Sequence, residues 1–527
     1  MRVLDPDRAE DVADLVPDGA TVAVCGNGSA LLPDALLAAI ERAFLARGRP
    51  RDLTLYYPAL PGSAAGTGVD RLAHRGLVRA VVASAFRLWQ LERMADLVRD
   101  DAVEAHCLPM GVAFQLLRAA AARQPGVVTR VGLDTFLDPG ADGRTAMNGV
   151  APTRRWVERL TLDGEAHLFY RSPAIDVALL QATAADRDGN LSLRAEPTRQ
   201  AVLDMAMAAG ARRGRVVAQV RYLVRRGSMP ARQIDVPGFL VDAVLPMRDG
   251  TDGAGPVSDP ALSGEWAVED PGALVPLTPR KAMARRIALL LRPGELVNLG
   301  FGLPGLVGDV LAEEGVADRV LLSIEHGPIG GRPTGKGTFG AAVGPRYLLT
   351  SPDTFTLYHG GRLDWTILGA AEVDARGDVA VHRFGDAMPG PGGFVDIASS
   401  ARRIVFATAL TTGGARLAVR PPPDPGLVVE VEGRIPKFVP RLSERTFSAR
   451  EALGRGAEVW YVTERAAFRL EAGGPTLVEI APGLVPERDV LAPMGFRPRL
   501  APALRRWPSA LFESGPIGLA RRWSSAR

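Results

Sequence analysis

The sequence predicts an α/β protein made of two pseudo-repeated α/β halves with largely parallel sheets. Three observations carry this. Short apolar runs alternate with helix-period segments through most of the 527 residues, the pattern of strands joined by crossover helices. Gly 58 and Pro 42 supply more turns than a helical bundle uses. Two stretches also match without a gap. LFYRSPAIDVALLQATAADRDGNLSL (168–193) and TLYHGGRLDWTILGAAEVDARGDVAV (356–381) pair Tyr170 with Tyr358, Asp176 with Asp364 and Gly189 with Gly377, each 188 positions apart.

The elements follow in order. Thr21–Cys25 (TVAVC) reads as a buried strand and Leu31–Ala46 as a helix, with further strands at Leu53–Tyr57 and Val78–Ser84. A Pro- and Gly-rich stretch without periodicity, 247–280, predicts a linker between an N-terminal half, 1–246, and a C-terminal half, 281–527. The helix pattern restarts at Lys281 (KAMARRIALLL). Each half opens on a strand, a Gly-rich turn and a helix: TVAVCGNGSALLPDALLAAI from Thr21, and ELVNLGFGLPGLVGDVL from Glu295. VLLSIE, ending at Glu325, reads as the next strand of the second half, with AVVAS (Ala80–Ser84) as its expected counterpart in the first. Ile404–Ala409 and Glu458–Thr463 read as strands, and Ala467–Ile480 as a hairpin across 471–474. The Pro- and Arg-rich tail, Ala501–Arg527, is expected to form a loop-and-turn extension or to fray. Two similar lobes place the active site in the cleft between them.

Composition excludes several classes. With 47% apolar and 23% charged residues the chain is globular and not disordered. Its net charge of +4 is scattered and almost wholly arginine, the only lysines being Lys281, Lys336 and Lys437. No basic run carries interleaved aromatics, so nucleic acid is not expected as a partner. The longest uncharged stretch, Leu53–Val69, is too short and too interrupted to span a membrane. The N-terminus is acidic and lacks an apolar signal core. Cys25 and Cys107 alone cannot make a disulfide scaffold, so free thiols in a reducing cytoplasm are expected. None of the six histidines has metal-ligand spacing, so no metal site is expected. No G-x-S-x-G supports a serine hydrolase.

Three motifs can carry chemistry. GFGLPG (Gly300–Gly305) fits G-x-G-x-x-G between a strand and a helix. It reads as a dinucleotide fingerprint, as another phosphate or backbone-close ligand site, or as a tight turn needing glycine for geometry alone. SIEHGPIGG (Ser323–Gly331) puts a carboxylate at the end of a buried apolar strand, followed by three glycines. Glu325 is either a nucleophilic or acid/base carboxylate in a dry cleft or a solvated strand end. A similar ESGPIG at Glu513 has no strand leading into it and reads as structural. GPGGF (Gly390–Phe394) can present backbone N–H groups to an oxyanion, or be a loop tip.

Taken together the chain resembles the family I CoA-transferases, most closely the single-chain short-chain acyl-CoA:carboxylate (propionate/acetate) branch. The resemblance rests on ordered segments along nearly the whole chain: RDLTLYYPA (Arg51–Ala59), RLAHRGLVR (Arg71–Arg79), PGVVTRVGLDTFLDP (Pro125–Pro139), DRDGNLS (Asp186–Ser192), VNLGFGLP (Val297–Pro304), SIEHGPIGG, FGAAVGP (Phe339–Pro345), GGFVDIA (Gly392–Ala398), FATALTTGG (Phe406–Gly414) and VTERAAF (Val462–Phe468). It implies that Glu325 is the catalytic nucleophile of the C-terminal half. It implies that Gly300, Phe301, Gly302, Leu303 and Pro304 lie along coenzyme A, and that Gly392 and Gly393 supply oxyanion-hole amides. The N-terminal half is then a non-catalytic copy on the carboxylate/acyl side. CoA is transferred from a short-chain acyl-CoA to a small carboxylate by a ping-pong route through a glutamyl-CoA thioester. CoA is thus substrate and covalent intermediate, and no permanently bound cofactor is expected. A cytoplasmic homo-oligomer is expected. The alternatives are an acyl-CoA hydrolase and a non-catalytic ligand-binding relative. One position departs from the family: Met110, in CLPMGV, stands where relatives usually carry a glutamine whose amide can serve the oxyanion. A thioether cannot donate that bond.

Overall fold

The computed structural model describes residues 1–87, 91–152, 156–247, 259–268, 274–335 and 338–524. Two mainly parallel sheets organise them. In the first half the strands that matter for the site are β1 (Thr21–Val24), β2 (Leu53–Tyr57), β3 (Val78–Ala83), β4 (Glu104–Cys107), β5 (Val177–Asp186), β6 (Arg215–Val224) and β7 (Ala243–Pro246). They lie in the order β7-β6-β5-β1-β2-β3-β4, all parallel. Helix α1 (Asp34–Arg47) crosses from β1 to β2, and α2 (Met110–Ala121) follows β4. The strands read as continuous apolar runs because helices cover both faces of a parallel sheet. All five residues of β2 are buried.

The second half repeats the plan. After α3 (Pro279–Ala288) come β8 (Leu296–Leu299), α4 (Gly305–Glu313), β9 (Leu321–Ser323), α5 (Ser351–Leu357), β10 (Trp365–Gly369), α6 (Phe394–Ser400), β11 (Arg403–Ala407) and β12 (Glu458–Val462). The parallel order is β9-β8-β10-β11-β12, matching β2-β1-β5-β6-β7. The fixed-offset match has a physical basis. Asp176 accepts from the Thr21 amide at 2.9 Å and Asp364 from the Leu296 amide at 3.0 Å, so each pins the strand that leads into its glycine turn. Asp186 and Asp374 each accept two local amides in the same turn, closed by Gly189 and Gly377 at φ +88° and +89°. Only glycine takes that conformation without strain.

Four expectations need correcting. Tyr170 and Tyr358 are not equivalent: Tyr170 lies on a strand (Glu165–Arg171), whereas Tyr358 opens a π-helical turn after α5. The counterpart of β9 is β2 and not Ala80–Ser84, because in both halves the partner strand follows the helix after the glycine turn. Helix α3 begins at Pro279, with Thr278 accepting from the Lys281 amide as its N-cap. The tail carries regular structure among its described residues: Arg499–Arg506 adds a parallel strand beside β14 of the predicted hairpin, β13 (Ala466–Glu471) and β14 (Gly474–Ile480), and Leu519–Ser524 is helical. Arg285 of α3 holds that tail through the carbonyls of Leu511, Glu513 and Gly515, so the Glu513 copy of the glycine motif is part of a structural clasp. Within the expected linker, 248–258 and 269–273 lie outside the described residues.

The halves meet through α2. Asp396 of α6 accepts from the Gly111 and Val112 amides at 3.0 and 3.1 Å, satisfying two open donors at the start of α2 from the other half of the chain. Gly111 sits so close to Phe355 that a Cβ would stand 2.4 Å from its ring.

Candidate active site

Glu325 is presented by a tight turn. Strand β9 stops at Ser323, two residues earlier than VLLSIE suggests. The Gly327 amide then donates to the Ile324 carbonyl at 3.0 Å, and Pro328–Ile329 returns antiparallel. Gly327 has φ +124°, and a Cβ there would lie 2.2 Å from the Leu349 carbonyl oxygen. The turn therefore requires glycine at that position. Glu325 sits at its tip, 7% exposed, and its Oε2 has no hydrogen-bond partner among the described residues. Burial pushes its carboxyl above the usual range, opposed by its own backbone amide and the Asn298 side chain and reinforced by the negative charge of Asp396.

The glycine loop closes on this carboxyl. A Cβ on Gly393 would lie 3.5 Å from Glu325 Cγ, and one on Gly392 would lie 3.6 Å from Met110 Cε. The fold thus brings Glu325, Gly392, Gly393 and Met110 into one place, with Met110 contributed by the first half. The two glycines are not equal donors. The Gly392 amide donates to the Ser84 carbonyl at 2.9 Å, so its N–H is spent on holding the halves together. Gly392 is therefore not the open donor that the resemblance implies. Met110 is buried at the start of α2, where its own amide reaches the Gly392 carbonyl at 3.4 Å.

The Gly300–Pro304 turn, expected along coenzyme A, is partly exposed. Gly302 has φ +83° and no atom within 4 Å of a Cβ position, and Phe301 is 39% exposed. Aromatic rings link this turn to the neighbour of Glu325: Phe301 meets Phe339 edge-on at 5.0 Å, and Phe339 meets His326 at 6.1 Å. His326 is fully buried, which pushes its imidazole down to about 3 and keeps it neutral. Asn27 of the first half's glycine turn reaches the Phe339 carbonyl at 2.8 Å.

A family model described as Coenzyme A transferase matches residues 7–246 and 280–414. The chain belongs to the coenzyme A transferase family. It is 36% identical over 514 residues to the acetate CoA-transferase YdiF of Escherichia coli O157:H7, covering 97% of this chain and 95% of that one. It is 37% identical over 524 residues to the caffeate CoA-transferase of Acetobacterium woodii, covering 97% and 98%. The crystal structure of the E. coli O157:H7 YdiF apoenzyme superposes with a TM-score of 0.92 at 34% identity, over 98% of this chain and 97% of that one. A second YdiF structure, a thioester complex with CoA, superposes with a TM-score of 0.90 over the same shares. The chain is a CoA-transferase, and coenzyme A is its substrate. Among the described residues no helix is long and apolar enough to cross a membrane, and no cluster of side chains could hold a metal ion.

Sequence reasoning assigned no role to Asp396 or Asn298, although both lie inside quoted motifs, GGFVDIA and VNLGFGLP. Both are fully buried polar residues within apolar runs. That was the available signal, because such a group persists only with partners.

Proposed function

We propose that this CoA-transferase moves CoA from a short-chain acyl-CoA to a carboxylate acceptor by a ping-pong route through a glutamyl-CoA thioester on Glu325. The observation that carries the reading is the buried, part-unpartnered Glu325 carboxyl packed against Gly393 and Met110. A carboxylate held out of water is a stronger nucleophile than a solvated one. The ionised Glu325 attacks the thioester carbonyl and expels CoA as thiolate, leaving an acyl-glutamyl anhydride. The thiolate then attacks the glutamyl carbonyl, releasing the first acid and forming the enzyme thioester. An incoming carboxylate reverses both steps and leaves as the new acyl-CoA. Each tetrahedral oxyanion is served by the Gly393 amide. Phe301 and the open Gly302 turn receive the CoA chain. The thioester complex of YdiF supports a covalent CoA stage in that relative.

Residues 1–246 and 281–527 act as the two halves of this machine, the first supplying Met110 and the second Glu325. Buried free thiols at Cys25 and Cys107, both pushed up by burial, suit a cytoplasmic setting. We place the enzyme there as a homo-oligomer.

Glu325→Asp tests the reading. It keeps the charge but retracts the oxygens by about 1.5 Å, and misplacement near 1 Å costs about 100-fold where atoms must meet. Acetyl-CoA turnover is followed with and without an added acid, reading free CoA and new acyl-CoA together. Transfer falls by about 100-fold or more, while slow hydrolysis persists through a water in the vacated space. Transfer at near wild-type rate in Glu325→Asp removes Glu325 as nucleophile. Wild-type hydrolysis without transfer identifies a hydrolase.

A further inference from the structure

Two residues before Glu325, a row of polar side chains crosses three adjacent buried strands. Ser323 of β9 stands in register with Asn298 of β8, which stands in register with Thr366 of β10. Residues in register on neighbouring strands share a face, so the three side chains lie side by side. All three are fully buried. Polar groups in such a place cost stability unless each is satisfied.

Their bonds give the row a direction. Thr366 Oγ1 donates to Asn298 Oδ1 at 3.0 Å, which fixes the amide's orientation and turns Nδ2 the other way. Nδ2 then faces the Ser323 carbonyl at 3.4 Å and the Tyr358 hydroxyl at 3.5 Å. Tyr358 donates to Ser323 Oγ at 2.9 Å, and Ser323 Oγ donates to the Val297 carbonyl at 3.3 Å. Both N–H groups of the Asn298 amide are thereby directed at the end of β9, two residues before Glu325. The direction of the Glu325 shift agrees with this placement, since the Asn298 side chain favours the ionised carboxyl against burial.

The first half supplies an internal control. Asp176 and Asp364 align Thr21 with Leu296, so Ala23 corresponds to Asn298. Strand register then places Tyr56 opposite Ser323 and Ala178 opposite Thr366. Counting two residues on, Pro58 stands where Glu325 stands. The half without the carboxylate carries Tyr-Ala-Ala; the half with it carries Ser-Asn-Thr. The polar row accompanies the nucleophile and not the sheet.

We propose that Asn298 is the positioning residue of Glu325: its side-chain amide, locked by Thr366, holds the Ser323 carbonyl and the Tyr358 hydroxyl and so fixes the end of β9 from which Glu325 is aimed at the space between Gly393 and Met110. The inference rests on the assignment of Glu325 as nucleophile. The bonds of Asn298 reach the strand end and not the reacting oxygens; it acts through the segment that carries the carboxylate.

The titratable groups facing Glu325 among the described residues are His326 of its own turn, with Nε2 3.8 Å from Oε1, Asp396 of α6, and Tyr358 after α5. His326 is held neutral by burial and the Tyr358 phenol is pushed up by burial, so neither changes charge near neutrality. Neither variant below alters Asp396.

The test uses the full-length enzyme in excess over acetyl-CoA, without acceptor, quenched at set times from about pH 5 to pH 9. The readout is the CoA thioester on the Glu325 peptide. In Asn298→Ala the acid limb moves to higher pH, and formation falls on the order of 100-fold at the acid end, with a clearly smaller loss at the alkaline end. Thr366→Val keeps the shape of its side chain but frees the amide to rotate. It shows the same movement at roughly one-tenth the size, and it carries the test if Asn298→Ala does not fold. Profiles that superimpose on wild type, or losses equal at every pH, overturn the positioning role. A wild-type enzyme that forms no thioester on Glu325 overturns the nucleophile assignment, and this inference with it. A wild-type thioester with unmoved variant profiles overturns this inference alone.

Discussion

The two halves share a sheet order, a glycine turn, an anchoring aspartate and an Asx turn, yet only one carries a buried carboxylate after its edge strand, the proposed nucleophile Glu325. Where the second half places Glu325, the first has Pro58, and the row behind it changes from Ser323, Asn298 and Thr366 to Tyr56, Ala23 and Ala178. The backbone plan is therefore separable from the chemistry. A buried carboxylate needs neighbouring donors, and the sheet that lacks one fills the same positions with apolar volume and a tyrosine that bonds the Ala113 carbonyl at 2.6 Å. The first half contributes differently: it delivers Met110 and the Ser84 carbonyl to the second half's loop, and α2 is capped in return by Asp396.

The largest effect is expected at Met110, which the first half places beside the second half's glycine loop. A single oxyanion donor contributes about 100-fold or more in rate. Met110→Gln restores an amide beside Gly392 and raises kcat for acetyl- or propionyl-CoA toward that factor, measured in steady-state transfer to acetate. A strong loss with every acyl chain length shows instead that the thioether packs against the native acyl group.

The smaller effect tests whether the row belongs to the nucleophile. Ala23→Asn copies the second half's residue into the first, where neither a threonine nor a carboxylate receives it. The buried amide costs about 1–3 kcal/mol, read as a lowered Tm and denaturant midpoint. Transfer rates in the folded fraction stay within about twofold of wild type, since no reacting group is near. An unchanged Tm means the first-half row tolerates polar groups and breaks the comparison.

The fold was legible where strand, turn and helix alternate, and Leu53–Tyr57 and Glu295–Leu311 read correctly because their patterns are local. Matching VLLSIE to Ala80–Ser84 failed because apolar runs resemble one another, and only strand order identifies β2 as the true partner. Treating Glu325 as the last residue of a strand failed because Gly327, two residues later, forces a turn at φ +124°. The tail looked like a fraying extension because its arginines mask a strand, Arg499–Arg506, whose arginine side chains lie mostly in solvent. The loss of Gly392 as a free donor was invisible, since it depends on Ser84, more than 300 positions away in sequence.

The central claim is that Glu325 carries CoA covalently. The direct measurement is to incubate the enzyme with acetyl-CoA, reduce with borohydride and map the modified peptide. Reduction is expected at the glutamyl carbonyl of Glu325, on the peptide spanning Ser323–Gly331, and nowhere else. Modification at Glu513, or none at any residue under conditions where CoA is being transferred, would contradict it.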